Sequence, residues 1–76
     1  MSYVDANLIN RVFANENLDN ADFSRADLRG ATFDNVELRR ADFVETDLTG
    51  ATFNSGHLND VRFDWAYMDN VRFNGT

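Results

Sequence analysis

From Leu8 onward, every fifth residue of the chain is large and apolar: Leu8, Phe13, Leu18, Phe23, Leu28, Phe33, Leu38, Phe43, Leu48, Phe53, Leu58, Phe63, Met68 and Phe73. Neither regular element accommodates that spacing. On an α-helix, centres five residues apart are separated by about 500°, so they spiral around the cylinder and leave no single buried stripe. On a straight strand the period of two sends alternate centres to opposite faces, which would leave one set in water. A chain that turns a corner once every five residues removes the conflict, because each short straight segment can aim its centre at a common axis. Four such segments close a square.

The residue two places before each centre is small or modest in size at most positions, as in Ala21, Ala26, Ala31, Ala41, Ala51 and Ala66, and fits beside the centre in a narrow interior. The residue between the two is mostly polar, as in Asp22, Asp27, Thr32, Asp42, Asp47 and Thr52. Leu and Phe alternate strictly from Leu8 to Phe63, a ten-residue period that divides evenly into a twenty-residue coil. Four-sided winding therefore predicts four interior columns of matched side chains. Leu8, Leu28, Leu48 and Met68 form one, Phe13, Phe33, Phe53 and Phe73 the second, Leu18, Leu38 and Leu58 the third, and Phe23, Phe43 and Phe63 the fourth. Three-sided winding would mix them. Backbones paired about 4.8 Å apart give a stack about 17 Å tall.

The pentads "ADFSR", "ADLRG" and "ADFVE" at residues 21–25, 26–30 and 41–45 resemble the pentapeptide-repeat family, whose pattern is A(D/N)LXX with Leu or Phe at the centre. The resemblance covers nearly the whole chain, residues 6–75, with the units in unbroken phase. It implies an all-β fold, a right-handed quadrilateral parallel β-helix of about three and a half coils, with residues 1–76 as a single domain. Larger members of the family often pair through their C-terminal ends, and others protect type II topoisomerases from inhibitors by mimicking DNA.

Composition narrows the chemistry. Thirteen carboxylates face seven cations, all arginine, for a net charge of −6; cysteine, lysine and proline are absent, and asparagine occurs ten times. Without cysteine there is no disulfide or thiolate metal site. The negative charge opposes direct binding to nucleic acid or anionic membranes. No apolar run has transmembrane length and the opening "MSYVDANLIN" lacks the regions of a signal peptide, so a cytoplasmic location is expected. The many Asn and Gly residues point to tight turns at regular intervals.

Departures from the repeat fall mainly at the ends. Arg11 and Glu16 stand where small inward residues belong, and either fold over the open first coil as a cap or are simply solvated. Val36 replaces alanine in the column that holds Gly56, which reads as an exchange of volume between layers. Near the C-terminus the outward position changes to His57, Arg62, Tyr67 and Arg72, and Trp65 stands just before a corner shared with Tyr67. Aromatics with arginine are typical of contact surfaces, so Arg62, Trp65, Tyr67 and Arg72 form a candidate interface in the last coil. The competing reading pairs Arg62 with Asp42 and His57 with Glu37 as ordinary surface partners.

Asp22 beside Asp42, and Asp27 beside Asp47, make a candidate acidic face; the repeat itself places an acceptor there for turn hydrogen bonds, and catalysis is not expected of it. His57 is the only imidazole, no phosphate loop or zinc spacing occurs, and a filled interior leaves no substrate cavity. The expected function is that of a non-enzymatic structural or protein–protein interaction module, without cofactor, metal or small-molecule substrate. Its partner is another protein, a homodimer through the C-terminal coil included. Two alternatives stand beside it: an acidic DNA mimic that binds a type II topoisomerase, and an isolated module without activity of its own.

Overall fold

The computed structural model describes residues 1–75. The chain winds as a four-sided tube in which each residue pairs with the one twenty places on. Short strands β1 (Val12–Ala14), β2 (Thr32–Glu37), β3 (Thr52–His57) and β4 (Arg72–Asn74) lie parallel in one sheet in the order β1-β2-β3-β4. Their register is Phe13 to Phe33 to Phe53 to Phe73. The other three walls are built from single bridges of the same offset, among them Asp22 to Asp42, Asp27 to Asp47 and Asn17 to Glu37. The winding is thus four pentads per coil, as the alternation of Leu and Phe requires. With Cα extents of 24 × 23 × 19 Å, the stack is a squat block.

The corners have a common device. Every fifth residue from Asp5 to Gly75 has a positive φ, between 55° and 73°, placing it in the left-handed region. The residue after it donates its N–H back to the carbonyl of the preceding centre, as in Ala26 to Phe23 and Ala31 to Leu28, both 3.0 Å. This is the geometry of a turn with φ > 0 at its third position, which Gly and Asn enter at least cost. One corner differs. Between the Phe13 and Leu18 faces the strand pairing continues on both sides of Asn35 and Ser55, with Val36 opposite Gly56 and Glu37 opposite His57. Here Gly56 itself takes φ 93°, and a Cβ on it would overlap the carbonyl oxygen of Val36. The sequence reading of Val36 and Gly56 as a volume exchange is therefore corrected: the glycine answers a backbone approach.

The interior holds the predicted columns. The Phe13 column stacks with ring centroids 4.9, 4.7 and 5.1 Å apart and planes within 11° of parallel. The adjacent Phe23 column stacks likewise, and rings of the two columns meet edge to face at 5.8–6.3 Å. Offset stacks along the axis and T-shaped contacts across it are the two arrangements the ring quadrupole favours. Tyr3 adds a unit the sequence reading left out: it stacks on Phe23 at 4.8 Å, so the repeat begins one pentad earlier and has fifteen centres.

The two ends are unlike. At the first coil Leu8, Phe13 and Leu18 are 7%, 1% and 2% exposed, and the Arg11 guanidinium lies over the Phe13 ring, 5.3 Å from its centroid. Arg11 is the cap that its position allowed, whereas Glu16 stays in solvent. At the last coil the core expected there is incomplete. Leu58, Phe63 and Met68 are only partly buried and Phe73 is 45% exposed, these centres forming the last layer among the described residues.

Candidate functional site

Each pentad offers solvent three positions: the two that flank its centre and the left-handed corner residue. The candidate acidic residues occupy the first of these, and their geometry follows from the turn. Asp22, Asp42 and Asp47 accept the backbone N–H two residues on, from Ser24 (2.9 Å), Val44 (2.9 Å) and Thr49 (3.1 Å). Asn7 and Asn17 do the same toward Ile9 and Asp19, so the interaction needs an acceptor and not a charge. Asp27 is also held by Arg29, whose Nε donates at 2.8 Å and whose terminal nitrogen reaches the second oxygen at 2.6 Å; the same Nε lies 3.9 Å from Asp47.

These bonds favour the ionised form. The Ser24 hydroxyl and N–H hold the Asp22 carboxyl below its ordinary range, and Arg29 does so for Asp27. Asp19, at the outer flank of the Leu18 face, is lowered in the same way by Arg39, which also donates its backbone N–H to it at 2.9 Å. Asp22 lies beside Asp42 and Asp27 beside Asp47, as the register predicts; each carboxylate serves its own turn, and the Arg29 guanidinium lies between Asp27 and Asp47. Among the described residues no group of His, Asp and Glu has the arrangement of a metal site. A shallow depression of about 250 Å³ lies at the divergent corner, lined by Asn15, Glu16, Asn17, Asn35 and Glu37. Within it Asn35 donates to Asn15 at 2.9 Å and Glu37 meets His57 Nδ1 at 2.6 Å.

The C-terminal candidates separate into two groups. Arg62 pairs by backbone with Asp42, but its guanidinium turns to Asp64 at 2.8 Å; His57 does sit on Glu37. Arg72 stands opposite Thr52 at the end of the sheet. Trp65 and Tyr67 lie around one corner and are 86% and 67% exposed, the most open of the aromatic residues. Trp65 is the corner residue itself, with φ 61°. The open core above Phe63, Met68 and Phe73 lies on the C-terminal coil that the sequence offered as a dimer surface, although all fourteen centres were expected as core alike.

Fold and surface together define a solenoid with a filled interior, a tube of four parallel β walls whose chemistry is confined to its outside and its ends. A family model described as pentapeptide repeats matches the sequence in eight copies, over residues 4–39, 17–54 and 37–75. The chain belongs to the pentapeptide-repeat family, and its fold is the family's right-handed quadrilateral β-helix. Among solved structures it is similar to the pentapeptide repeat protein Rfr23 from the cyanobacterium Cyanothece 51142, with TM-score 0.70 and 18% identity over 95% of this chain and 52% of that one. It is also similar to HetL from the cyanobacterium Nostoc sp. strain PCC 7120, a pentapeptide repeat protein involved in heterocyst differentiation regulation, with TM-score 0.57 and 22% identity over 92% of this chain and 35% of that one. The chain thus spans about half and about a third of these two proteins. No curated protein matches the sequence. Among the described residues, no helix is long and apolar enough to cross a membrane.

Proposed function

We propose that this chain is a non-enzymatic interaction module that presents its C-terminal coil to another protein. The observation that carries the reading is the difference between the ends: Phe13 is 1% exposed beneath the Arg11 guanidinium, while Phe73, in the same column, is 45% exposed. Three further columns open onto that end at Leu58, Phe63 and Met68. In a solenoid each layer is stabilised by its neighbours, so an uncovered apolar layer favours anything that stacks on it. A second copy, end to end, supplies matching columns about a two-fold axis and closes the assembly at two. The test is the solution mass by light scattering over dilution from about 1 mM to about 1 μM. A dimer mass that falls to the monomer's on dilution, and a Phe73→Arg chain that stays monomeric throughout, are the expected results. A monomer at every concentration overturns the pairing.

The DNA-mimic reading is the second one, favoured by the Asp22–Asp42 and Asp27–Asp47 ladders on adjoining walls. Duplex DNA carries one charge per roughly 1.7 Å, about eleven over the 19 Å extent, against the net six here. Gyrase supercoiling with and without the protein tests it, and no change at tens of micromolar excludes it.

A further inference from the structure

The lateral corner that carries Trp65 and Tyr67 is distinct from the open end, and its composition identifies a different ligand. Three observations converge on it. First, four walls and two ends share an accessible surface of 4338 Å², so one wall offers about a sixth of it, roughly 720 Å², whereas a standard protein interface takes about 800 Å² from each partner. A lateral partner of ordinary size must therefore straddle a corner, and corner residues lie at the centre of such a footprint.

Second, Trp65 is the corner residue least suited to its backbone. A left-handed φ is unfavourable for a residue with a Cβ, least so for Asn and Asp, and ten of the fifteen equivalent positions hold Asn, Gly or Asp. The indole recovers nothing by burial, being 86% exposed. A conformational outlier that brings no packing in return is the kind of feature that marks a contact. Third, the surroundings are negative. Tyr67 is bridged to Asp47, Glu45 is the corner residue one coil below Trp65, and Asp64 and Asp69 lie in the same coil, Asp64 next to Trp65 in the chain. Arginines reach parts of this group, Arg62 toward Asp64 at 2.8 Å and Arg29 toward Asp47 at 3.9 Å, but Arg29 is held mainly by Asp27 at 2.6 Å, and Arg25, in the field of Glu45, by Asp5 at 3.0 Å.

Aromatic faces set among carboxylates attract cations twice, through the ring quadrupole and through charge. We infer that the Trp65–Tyr67 corner binds an arginine side chain of a partner protein, in an arginine-bearing segment laid across the corner. The planar guanidinium stacks on the indole or phenol ring and donates to the flanking carboxylates, a combination that a lysine ammonium reproduces less well. This rests on the reading of the chain as an interaction module, but it uses a different surface from the apolar end.

Trp65 is the only tryptophan, so its emission reports the site directly. The probe is a blocked peptide of six residues alternating arginine and glycine, titrated at about 20 mM salt, with a glutamate–glycine peptide as control. The arginine peptide is expected to shift and quench the Trp65 emission saturably, with affinity falling at least tenfold by about 500 mM salt as surface charges are screened. By calorimetry, Trp65→Ala and Tyr67→Ala are each expected to weaken binding about tenfold. Removing two carboxylates elsewhere, with Asp34→Asn and Asp60→Asn, should change it less than twofold. No emission change at about 1 mM peptide overturns the inference, and so does equal weakening in the two sets of variants, which would assign the binding to net charge. Circular dichroism of each variant separates loss of fold from loss of site. A chain that pairs through its open end yet ignores the peptide sinks the corner site and leaves the module reading standing.

Discussion

Replacing Phe33 by leucine tests whether ring geometry, and not burial alone, holds the tube together. Phe33 is 1% exposed and meets four rings: Phe13 and Phe53 stacked at 4.9 and 4.7 Å, and Phe23 and Phe43 edge-on at 5.8 Å each. Each aromatic pair contributes about 0.5–1.5 kcal/mol beyond its area, so losing all four costs about 2–6 kcal/mol, partly offset by the new leucine contacts. Phe73 is the internal control. It meets two rings, Phe53 at 5.1 Å and Phe63 at 6.3 Å, and is nearly half exposed, so Phe73→Leu is expected to cost about 1 kcal/mol or less. Urea unfolding followed by far-ultraviolet circular dichroism gives both values from the midpoint and slope. Equal losses at the two positions would refute the ring-stack account and reduce the columns to hydrophobic filling.

Three further outcomes are expected. Trp65→Asn should raise stability by about 1 kcal/mol in the same urea assay, because asparagine enters the left-handed region more easily than tryptophan and little buried contact is lost; a lower midpoint would contradict the strain at that corner. Gly56→Ala should cost more than about 2 kcal/mol, since its Cβ has no room beside the Val36 carbonyl at φ 93°, whereas Gly50→Ala, where the space is open, should lose about half as much or less. The depressed carboxyls of Asp19, Asp22 and Asp27 bind protons less readily folded than unfolded. Their contribution is full above the unfolded value near 4 and is lost as pH falls through the folded ones, so the urea midpoint should drop between about pH 5 and 2. Asp19→Asn should flatten that drop, and an unchanged slope would remove Arg39 as its cause.

The columns were legible because the phase of the apolar centres admits one solution. Leucine and phenylalanine alternate every five residues, so an odd number of sides would mix them, and four sides keep Phe13 over Phe33 and Leu18 over Leu38. The corners were half legible. Abundant asparagine and glycine announced turns, yet five of the fifteen corner residues are Arg25, Arg40, Glu45, Ser55 and Trp65, which hide the position that must be left-handed. The divergent corner was not legible at all, because whether pairing continues through Asn35 and Ser55 depends on the closure of the whole coil. Gly56 was its one trace, and a side-chain volume account of it looked sufficient. The C-terminal coil was legible as a surface but the exposure of its centres was not, for a related reason: exposure of Phe73 is set by what stacks on it, and a repeat pattern describes each layer without reference to the next.

This division shows where a chain of this design can carry information. Inward positions are fixed by the columns, and the residue before each centre is held by the turn, as the common role of Asn17, Asp22 and Asp42 shows. What remains free is the left-handed corner and the outer flank, provided the backbone strain is tolerated. A corner residue projects furthest and is least supported, so a large side chain there exchanges stability for reach. Trp65 makes that exchange on the side wall, and Phe73 leaves apolar surface uncovered on the end. The two are separable by experiment because they draw on different physics: salt should weaken whatever the corner holds, while pairing of apolar ends should persist or strengthen as salt rises.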